Sequence, residues 1–127
     1  MAKILVVDDD KEWAQGTKAV LESAGHVVSL AHSGEEGFAK AVSEKPDLLL
    51  LDVMMTHVTE GFEIARKLKE EPTTSHLPVI IVTGIRRAKR LPFKFEPDED
   101  WLPVKAVLEK PVAPEVLLKH VESALAG

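Results

Sequence analysis

Five short apolar runs, most of them joined by longer segments with helical periodicity, restrict the fold of this sequence more than any other feature. The runs are rich in valine, isoleucine and leucine, which favour strands, and they cover residues 4–7, 26–31, 48–51, 79–82 and 106–109. Parallel strands need a long crossover between them, and that crossover is usually a helix. The alternation therefore predicts an α/β fold, a doubly wound, five-stranded parallel sheet with helices on both faces.

Capping and turn residues set the expected limits of the helices. The first helix should follow Asp10 as its N-cap and end at Gly25, and a capping-box pattern at residues 33–36 should open the second. The third is expected over residues 60–71, and the last should begin near Pro114, which suits a first turn. The residues predicted to face the sheet are Ala14, Thr17, Leu21 and Ala24 in the first helix, Phe38, Ala41 and Val42 in the second, Phe62, Ala65 and Leu68 in the third, and Leu117, Leu118, Val121 and Leu125 in the last.

Polar residues stand at the carboxyl end of four of the predicted strands. In open α/β sheets ligands bind beyond these ends, so the side chains that follow them should converge on one edge. We expect the functional site at that edge. The residues concerned are Asp8, Asp9 and Asp10 after the first strand, Asp52 after the third, Thr83 after the fourth and Lys110 after the fifth.

The chemistry of this set indicates phosphoryl transfer. Crowded carboxylates repel one another unless a cation neutralises them, and hard oxygen ligands favour Mg²⁺. Such an ion shares its remaining positions with phosphate oxygens, which a lysine and a threonine hydroxyl opposite could hold. A carboxylate can also act as the nucleophile and form an aspartyl phosphate, and Asp52 is the best candidate because it stands alone at the end of the central strand. Taken alone, the acids at residues 8–10 could equally be a helix cap with solvated neighbours.

Four motifs in register resemble the receiver domain of two-component response regulators. They are Ile-Leu-Val-Val-Asp-Asp-Asp at residues 4–10, Leu-Leu-Leu-Leu-Asp-Val-Met-Met at residues 48–55, Ile-Ile-Val-Thr-Gly at residues 80–84 and Leu-Glu-Lys-Pro at residues 108–111. Each motif alone is moderate evidence, whereas the four occur together in the order and at nearly the spacing of that family. The resemblance covers the whole chain and implies a single receiver domain, residues 1–127, with a flavodoxin-like fold.

The resemblance implies a role for each residue of the set. Asp52 would accept a phosphoryl group from a phosphohistidine on a sensor histidine kinase or a phosphotransfer protein. Thr83 would hydrogen-bond that group, and Lys110 would pair with it. The chain would catalyse its own phosphorylation without being a turnover enzyme, and would signal through contacts with an unidentified output protein. The ligands of the Mg²⁺ cofactor would be the side chains of Asp9 and Asp52, the backbone carbonyl of Met54 and, mainly through water, Asp8.

The sequence departs from the receiver pattern in three places. Val107 occupies a position that is usually aromatic in the family, which puts the usual coupling between Thr83 and an aromatic side chain in doubt. The loop after Asp52 has one extra residue. Prolines interrupt residues 86–105, where receivers normally have a helix, and proline inside a helix costs about 3 kcal/mol or more. A shortened fourth helix or an irregular segment is expected there.

Residues 86–105 also combine a basic start, aromatic residues and an acidic end. We interpret this segment as a surface for a protein partner, because exposed aromatic residues beside segregated charge are typical of interfaces. The alternative is that Phe93, Phe95 and Trp101 fold back in place of the missing helix, and that the basic run is a solvated face.

Composition excludes several classes of function. The chain carries 21 acidic and 16 basic residues, a formal charge of -5, which argues against direct nucleic-acid binding because affinity for duplex DNA comes from basic side chains. It has no cysteine, so disulfides and thiolate metal sites are excluded. No apolar run approaches the roughly 20 residues needed to cross a bilayer, and a signal-peptide pattern is missing. We expect a cytoplasmic protein without a membrane partner, and 127 residues leave no room for a second, output domain.

Other functions stay open beside the receiver hypothesis. A pseudo-receiver that works only as a binding module usually lacks the acids or the lysine, and all of them are present here. A small Mg²⁺-dependent phosphohydrolase with an aspartyl nucleophile would carry a second aspartate where this chain has Met54. Flavin binding would need a phosphate-binding loop after the first strand, where three aspartates would repel it. The histidines do not cluster at metal-ligand spacing and are predicted to be isolated surface residues: His26, His32, His57, His76 and His120.

Overall fold

The computed structural model of the protein describes residues 2–8, 10–53, 58–83, 106–109 and 112–126. For residues 52, 53, 58–62, 83, 106, 107 and 109 it describes the backbone and not the side chain. Within these ranges the strands and helices follow one another in the predicted order. The strands are β1 Lys3–Val7, β2 Val27–Ala31, β3 Leu48–Val53, β4 Val79–Thr83 and β5 Ala106–Glu109. The helices are α1 Lys11–Ser23, α2 Gly34–Glu44, α3 Val58–Glu70 and α4 Pro114–Ala126.

The described strands form one five-stranded sheet in the order β2-β1-β3-β4-β5, and every pair is parallel. The order places β3 at the centre, where a run of four leucines is buried on both faces. Unbroken apolar runs of this kind are typical of parallel sheets, since helices cover both of their sides. The predicted doubly wound α/β fold is confirmed.

The two faces of the sheet support separate cores, because alternate residues of a strand point to opposite sides. Helices α2 and α3 cover one face, and α1 and α4 cover the other. Burial of each large aliphatic side chain stabilises the fold by about 1.5–3 kcal/mol. The first core contains Leu5, Val7, Leu49, Leu51 and Ile81 with Ala41, Ile64 and Leu68 from the helices, and the second contains Ile4, Val6, Leu48, Leu50, Ile80 and Val82 with Leu21, Leu117 and Val121.

α1 begins where its capping residue predicts, and its end differs slightly from the prediction. Oδ1 of Asp10 accepts a hydrogen bond from the backbone N–H of Trp13 at 3.1 Å. Gly25 has a φ of 92°, a left-handed conformation that costs glycine little. The prediction that Ala24 faces the core is wrong, because the helix ends at Ser23 and Ala24 is an exposed C-cap.

α2 lies close against β1, and a glycine makes that approach possible. Ser33 caps the helix by accepting a hydrogen bond from the N–H of Glu36 at 3.1 Å, as the capping-box pattern predicts. Gly37 in the next turn is buried, and a Cβ atom there would lie 2.6 Å from Cγ2 of Val7. A larger residue at this position would have to push the helix away from the sheet.

Several element limits differ from the predicted ones by one or two residues. α3 begins at Val58, two residues early, and β2 begins at Val27, one residue late. β3 and β4 run on to include Asp52 and Thr83, because the backbones of both residues still pair with the neighbouring strand. The site residues therefore lie within the ends of strands as well as in the loops that follow.

Three of the predictions concern residues outside the described ranges. They are the shortened helix and the partner surface within residues 86–105, and the longer loop after Asp52. The side chains of Phe62 and Val107 are outside these ranges as well. These statements stay predictions.

Candidate functional site

The strand register brings two aspartates together at the carboxyl edge of the sheet. Val7 of β1 lies opposite Leu51 of β3. The next residue along each chain segment is an aspartate, Asp8 in one case and Asp52 in the other. Neighbouring strands run about 4.8 Å apart, so the backbones of the two aspartates are neighbours.

β4 and β5 end at the same edge. Thr83 is the last residue of β4, and it lies opposite Val53, one position beyond Asp52. Glu109, the last residue of β5, lies opposite Thr83. Lys110 is the next residue in the sequence. The backbone thus brings the carboxyl ends of β1, β3, β4 and β5 to one edge of the sheet, which is where we expect the functional site.

Asp8 is the predicted ligand whose side chain the structure describes. It is buried, with 1% of its surface exposed. Its Oδ1 accepts a hydrogen bond from the backbone N–H of Asp10 at 2.8 Å, and its own N–H donates to the carbonyl of Ala31 at 2.9 Å. A buried carboxylate is costly to keep ionised unless hydrogen bonds or a cation compensate it. This position suits a group that takes part in a cation site.

A histidine that was predicted to be an isolated surface residue also belongs to this edge. His32 is half-buried, and its Nδ1 lies 3.1 Å from the backbone carbonyl oxygen of Asp8. The backbone N–H of His32 donates to Oε1 of Glu36 at 2.6 Å. That hydrogen bond, followed by the nearby charge of Lys40, lowers the pKa of the exposed Glu36 carboxyl. The surface prediction is therefore wrong for His32.

The register of β1 and β2 explains the place of His32. Ala31 lies opposite Val7 in the parallel pair of β2 and β1. His32, which follows Ala31, is therefore level with Asp8, which follows Val7. The pairing of β2 with β1, which this reasoning requires, became known only from the structure. A similar correction applies to His26, which is half-buried and whose Nδ1 accepts a hydrogen bond from the backbone N–H of Ala2 at 3.2 Å.

The chemistry of the predicted donor set fits a hard cation. Carboxylates, a backbone carbonyl and water are the ligands that Mg²⁺ prefers. Within the described ranges, no three His, Asp or Glu side chains lie close enough together to hold a metal ion. The remaining predicted groups lie outside these ranges: Asp9, Met54 and Lys110 entirely, and the side chains of Asp52 and Thr83.

A groove of about 410 Å³ lies beside this edge, between α1 and the start of α4. Asp10 contributes to one part of its wall, so the groove adjoins the end of β1. Its apolar lining comes mainly from α1, from α4 and from the residues just before α4. The main apolar contributors are Trp13, Val20, Val112 and Leu117.

A family model of the response regulator receiver domain matches residues 4–122. The chain belongs to the response regulator receiver family. Protein PilH of Pseudomonas aeruginosa is 39% identical to it over the full length of both chains. Response regulator MprA of Mycobacterium ulcerans is 35% identical over 97% of this chain and 50% of its own length. Response regulator PleD of Caulobacter vibrioides is 43% identical over 66% of this chain. The matched part is 18% of PleD, so the chain spans half or less of these last two relatives.

Solved receiver structures have the same fold. A putative response regulator from Chloroflexus aurantiacus superposes with a TM-score of 0.84 at 29% identity, covering 99% of this chain and 98% of the other. A CheY-like receiver domain protein from Methanospirillum hungatei gives a TM-score of 0.81 at 29% identity, covering 99% and 94%. The resemblance to receivers is confirmed, and with it the place of this chain among the receiver domains of two-component signalling.

No helix in the part of the chain that the structure describes is both long and apolar enough to cross a bilayer.

Proposed function

We propose that this receiver accepts a phosphoryl group on Asp52 from a sensor histidine kinase or a phosphotransfer protein, in a reaction that depends on Mg²⁺. The observation that carries the proposal is the register of β1 and β3, which makes the backbones of Asp8 and Asp52 neighbours. The backbone of Thr83 ends the next strand at the same edge, and we propose that its hydroxyl serves the same site. This combination of carboxylates with a hydroxyl is what transfer to an aspartate requires.

In the proposed reaction an oxygen of the Asp52 carboxylate attacks phosphorus. The bond from phosphorus to the donor histidine nitrogen breaks, and the electron pair of that bond returns to the imidazole. Mg²⁺, when bound, neutralises the acids and attracts the phosphoryl oxygens. Its proposed ligands are the side chains of Asp9 and Asp52, the backbone carbonyl of Met54 and, through water, Asp8.

The remaining two residues hold the product. Thr83 donates its hydroxyl hydrogen to a phosphoryl oxygen, and the Lys110 ammonium pairs with the added negative charge. The stabilised product is a modified form of the protein itself, so the domain acts as a signalling switch without turning over a substrate. An output protein in the cytoplasm then recognises the phosphorylated surface. The net charge of -5 supports a protein as that partner, in preference to a nucleic acid.

The groove between α1 and α4 supports a protein donor. A donor histidine has to come within bonding distance of Asp52, and the groove adjoins the same edge through Asp10. Trp13 in its wall is the kind of aromatic residue that dominates binding energy at interfaces. We propose that the donor protein contacts this groove while its phosphohistidine reaches the acids.

The test is incubation of the full chain with acetyl phosphate and MgCl₂, followed by intact mass. The wild-type chain should gain the mass of one phosphoryl group, and the gain should vanish when EDTA removes the metal. Asp52→Asn should gain nothing. Asp47→Asn is a matched control, because Asp47 is an exposed aspartate just before the same strand. A wild type that gains no mass would favour the pseudo-receiver alternative, and an equal gain in Asp52→Asn would refute Asp52 as the acceptor.

A further inference from the structure

The backbone carbonyl of Asp8 lies where the pairing of β1 with β2 stops. Val7 is opposite Ala31, and the N–H of Asp8 continues the ladder by donating to the carbonyl of Ala31 at 2.9 Å. In a continuing parallel pair, the next hydrogen bond would run from the N–H of Ser33 to the carbonyl of Asp8. Ser33 is instead the N-cap of α2, where the chain turns away from the sheet.

The side chain of His32 takes the place of that backbone bond. Its Nδ1 is 3.1 Å from the carbonyl oxygen of Asp8. A carbonyl oxygen can only accept, so Nδ1 must carry the hydrogen. The neutral ring is therefore the Nδ1–H tautomer, in which Nε2 has no hydrogen.

The backbone around His32 holds the ring in position. The N–H of His32 donates to Oε1 of Glu36 at 2.6 Å. Lys40 joins the same group, because its Nζ lies 3.7 Å from Oε2 of Glu36 and donates to the carbonyl of Leu30. The bonds from His32 to Glu36 and from Lys40 to Leu30 link the end of β2 to α2 and hold the main chain at His32 in place, while the ion pair between Glu36 and Lys40 lies within α2.

We propose that His32 is a positioning residue for the metal site. By donating to the carbonyl of Asp8, the ring fixes the direction in which β1 ends and thereby the placement of the Asp8 carboxylate. The carboxylate is tied in turn to the N–H of Asp10, the N-cap of α1. The ring, the Asp8 peptide and the first turn of α1 form one connected unit. This inference rests on the proposed function, because it takes Asp8 to belong to the Mg²⁺ site.

The expected size of the effect follows from other metal sites. Removing a group that orients a ligand typically weakens metal binding by about 10- to 100-fold. His32 acts through the backbone of a residue that is proposed to bind through water. The loss should therefore lie at the lower end, about tenfold in Kd.

Three variants distinguish the effect of losing this hydrogen bond from general effects on folding. His32→Leu keeps a branched side chain and removes the donor. His32→Asn restores a donor, because its amide nitrogen sits at the same bond distance from the backbone as Nδ1 of histidine. Ser33→Ala is the matched control, since it removes the α2 cap next to His32 and leaves the imidazole in place.

The measurement is an NMR titration of the full chain with MgCl₂, following backbone amide signals and yielding a Kd for each variant. We expect a Kd about tenfold higher for His32→Leu, a return toward the wild-type value for His32→Asn, and little change for Ser33→Ala. A ¹⁵N spectrum of the wild-type imidazole at pH 8 should show the hydrogen on Nδ1. The spectrum needs no variant, so it tests the hydrogen bond even if His32→Leu does not fold.

The contrary results are equally specific. An unchanged Kd in His32→Leu, an equal loss in Ser33→Ala, a failure of His32→Asn to restore binding, or a ring with its hydrogen on Nε2 would each overturn the inference. A wild type that binds no Mg²⁺ would overturn the proposed function together with the inference. Normal binding by the wild type with no effect of His32→Leu would overturn only the role of His32.

Discussion

Glu36, near the candidate site, makes the stability of the fold depend on pH. Its carboxylate accepts the backbone N–H of His32, and this bond is the first cause of its lowered pKa, with Lys40 adding a smaller contribution. The pKa is then lower in the folded chain than in the unfolded chain. The interaction therefore stabilises the fold above the usual glutamate pKa and is lost as the pH falls through the lowered value. Glu36 is exposed, so solvent screens the effect and keeps it small.

Glu36→Gln should make the melting temperature depend less on pH under acidic conditions. The amide oxygen can still accept the His32 N–H, but no charge is titrated. Between about pH 5 and about pH 3 the melting temperature of the wild type should fall more steeply than that of the variant. Thermal unfolding followed by circular dichroism measures both slopes, with Glu35→Gln in the same helical turn as the control. Parallel profiles for wild type and Glu36→Gln would contradict this account.

At the scale of elements, the packing of α2 on β1 depends on a position without a side chain. Gly37 is buried, and a Cβ atom there would lie 2.6 Å from Cγ2 and 2.9 Å from Cγ1 of Val7. Val7 is held in the sheet by β2 and β3, so it cannot move far. Gly16 on α1 offers the opposite case, since a Cβ atom there has no neighbour within 4 Å.

Gly37→Ala and Gly16→Ala should therefore change stability in opposite directions. The first should lower the free energy of unfolding by about 1–3 kcal/mol through overpacking. The second should raise it by up to about 1 kcal/mol, because alanine favours a helix more than glycine does. Urea unfolding of both variants checks the pair. Stabilisation by Gly37→Ala would mean that α2 does not approach β1 this closely.

The elements were largely predictable from sequence because periodicity and caps are local. β5 matches its predicted limits at both ends, Ser33 caps α2 as expected, and Gly25 ends α1 in the left-handed conformation. The predicted positions of Ala24 and His32 were wrong for different reasons. The end of a helix is decided by competition among neighbouring hydrogen bonds, which periodicity does not resolve. The place of His32 depends on β2 lying beside β1, a long-range fact that a local pattern does not contain.

The candidate site was predictable to the extent that it follows from strand ends. Asp8 and Asp52 are neighbours because each follows the end of a predicted apolar run, and parallel strands finish at one edge. The hydrogen bond from the Asp10 N–H to Asp8 was not predictable, since it depends on the conformation of the turn. The same is true of the burial of Asp8, which only the packed structure reveals.

At the scale of the whole molecule, the groove between α1 and α4 should affect phosphorylation by a protein donor and not phosphorylation by a small molecule. A protein donor has to contact a surface near the acids, whereas a small donor only has to diffuse to them. Trp13 lies in the groove wall and is half-buried. Its side chain should therefore matter for one class of donor and not for the other.

Trp13→Ala should slow phosphorylation by a phosphorylated histidine kinase by about tenfold or more, since a buried interface tryptophan contributes about 2 kcal/mol. Phosphorylation by acetyl phosphate should keep its wild-type rate. Val116→Ala is the control, because Val116 is an apolar residue of α4 that is 45% exposed and does not line the groove. Equal slowing with both donors would show that Trp13 acts on the acids or the fold, and no slowing with the kinase would remove the groove from the donor contact.

Borohydride reduction identifies the residue that carries the phosphoryl group, which we propose to be Asp52. An acyl phosphate on aspartate is reduced to homoserine, which marks the modified position permanently. The phosphorylated chain would be reduced, digested and sequenced by tandem mass spectrometry. We expect homoserine at position 52, only in samples that received both phosphodonor and Mg²⁺. Homoserine at Asp8 or Asp9, or no homoserine in a chain that had gained phosphoryl mass, would contradict it.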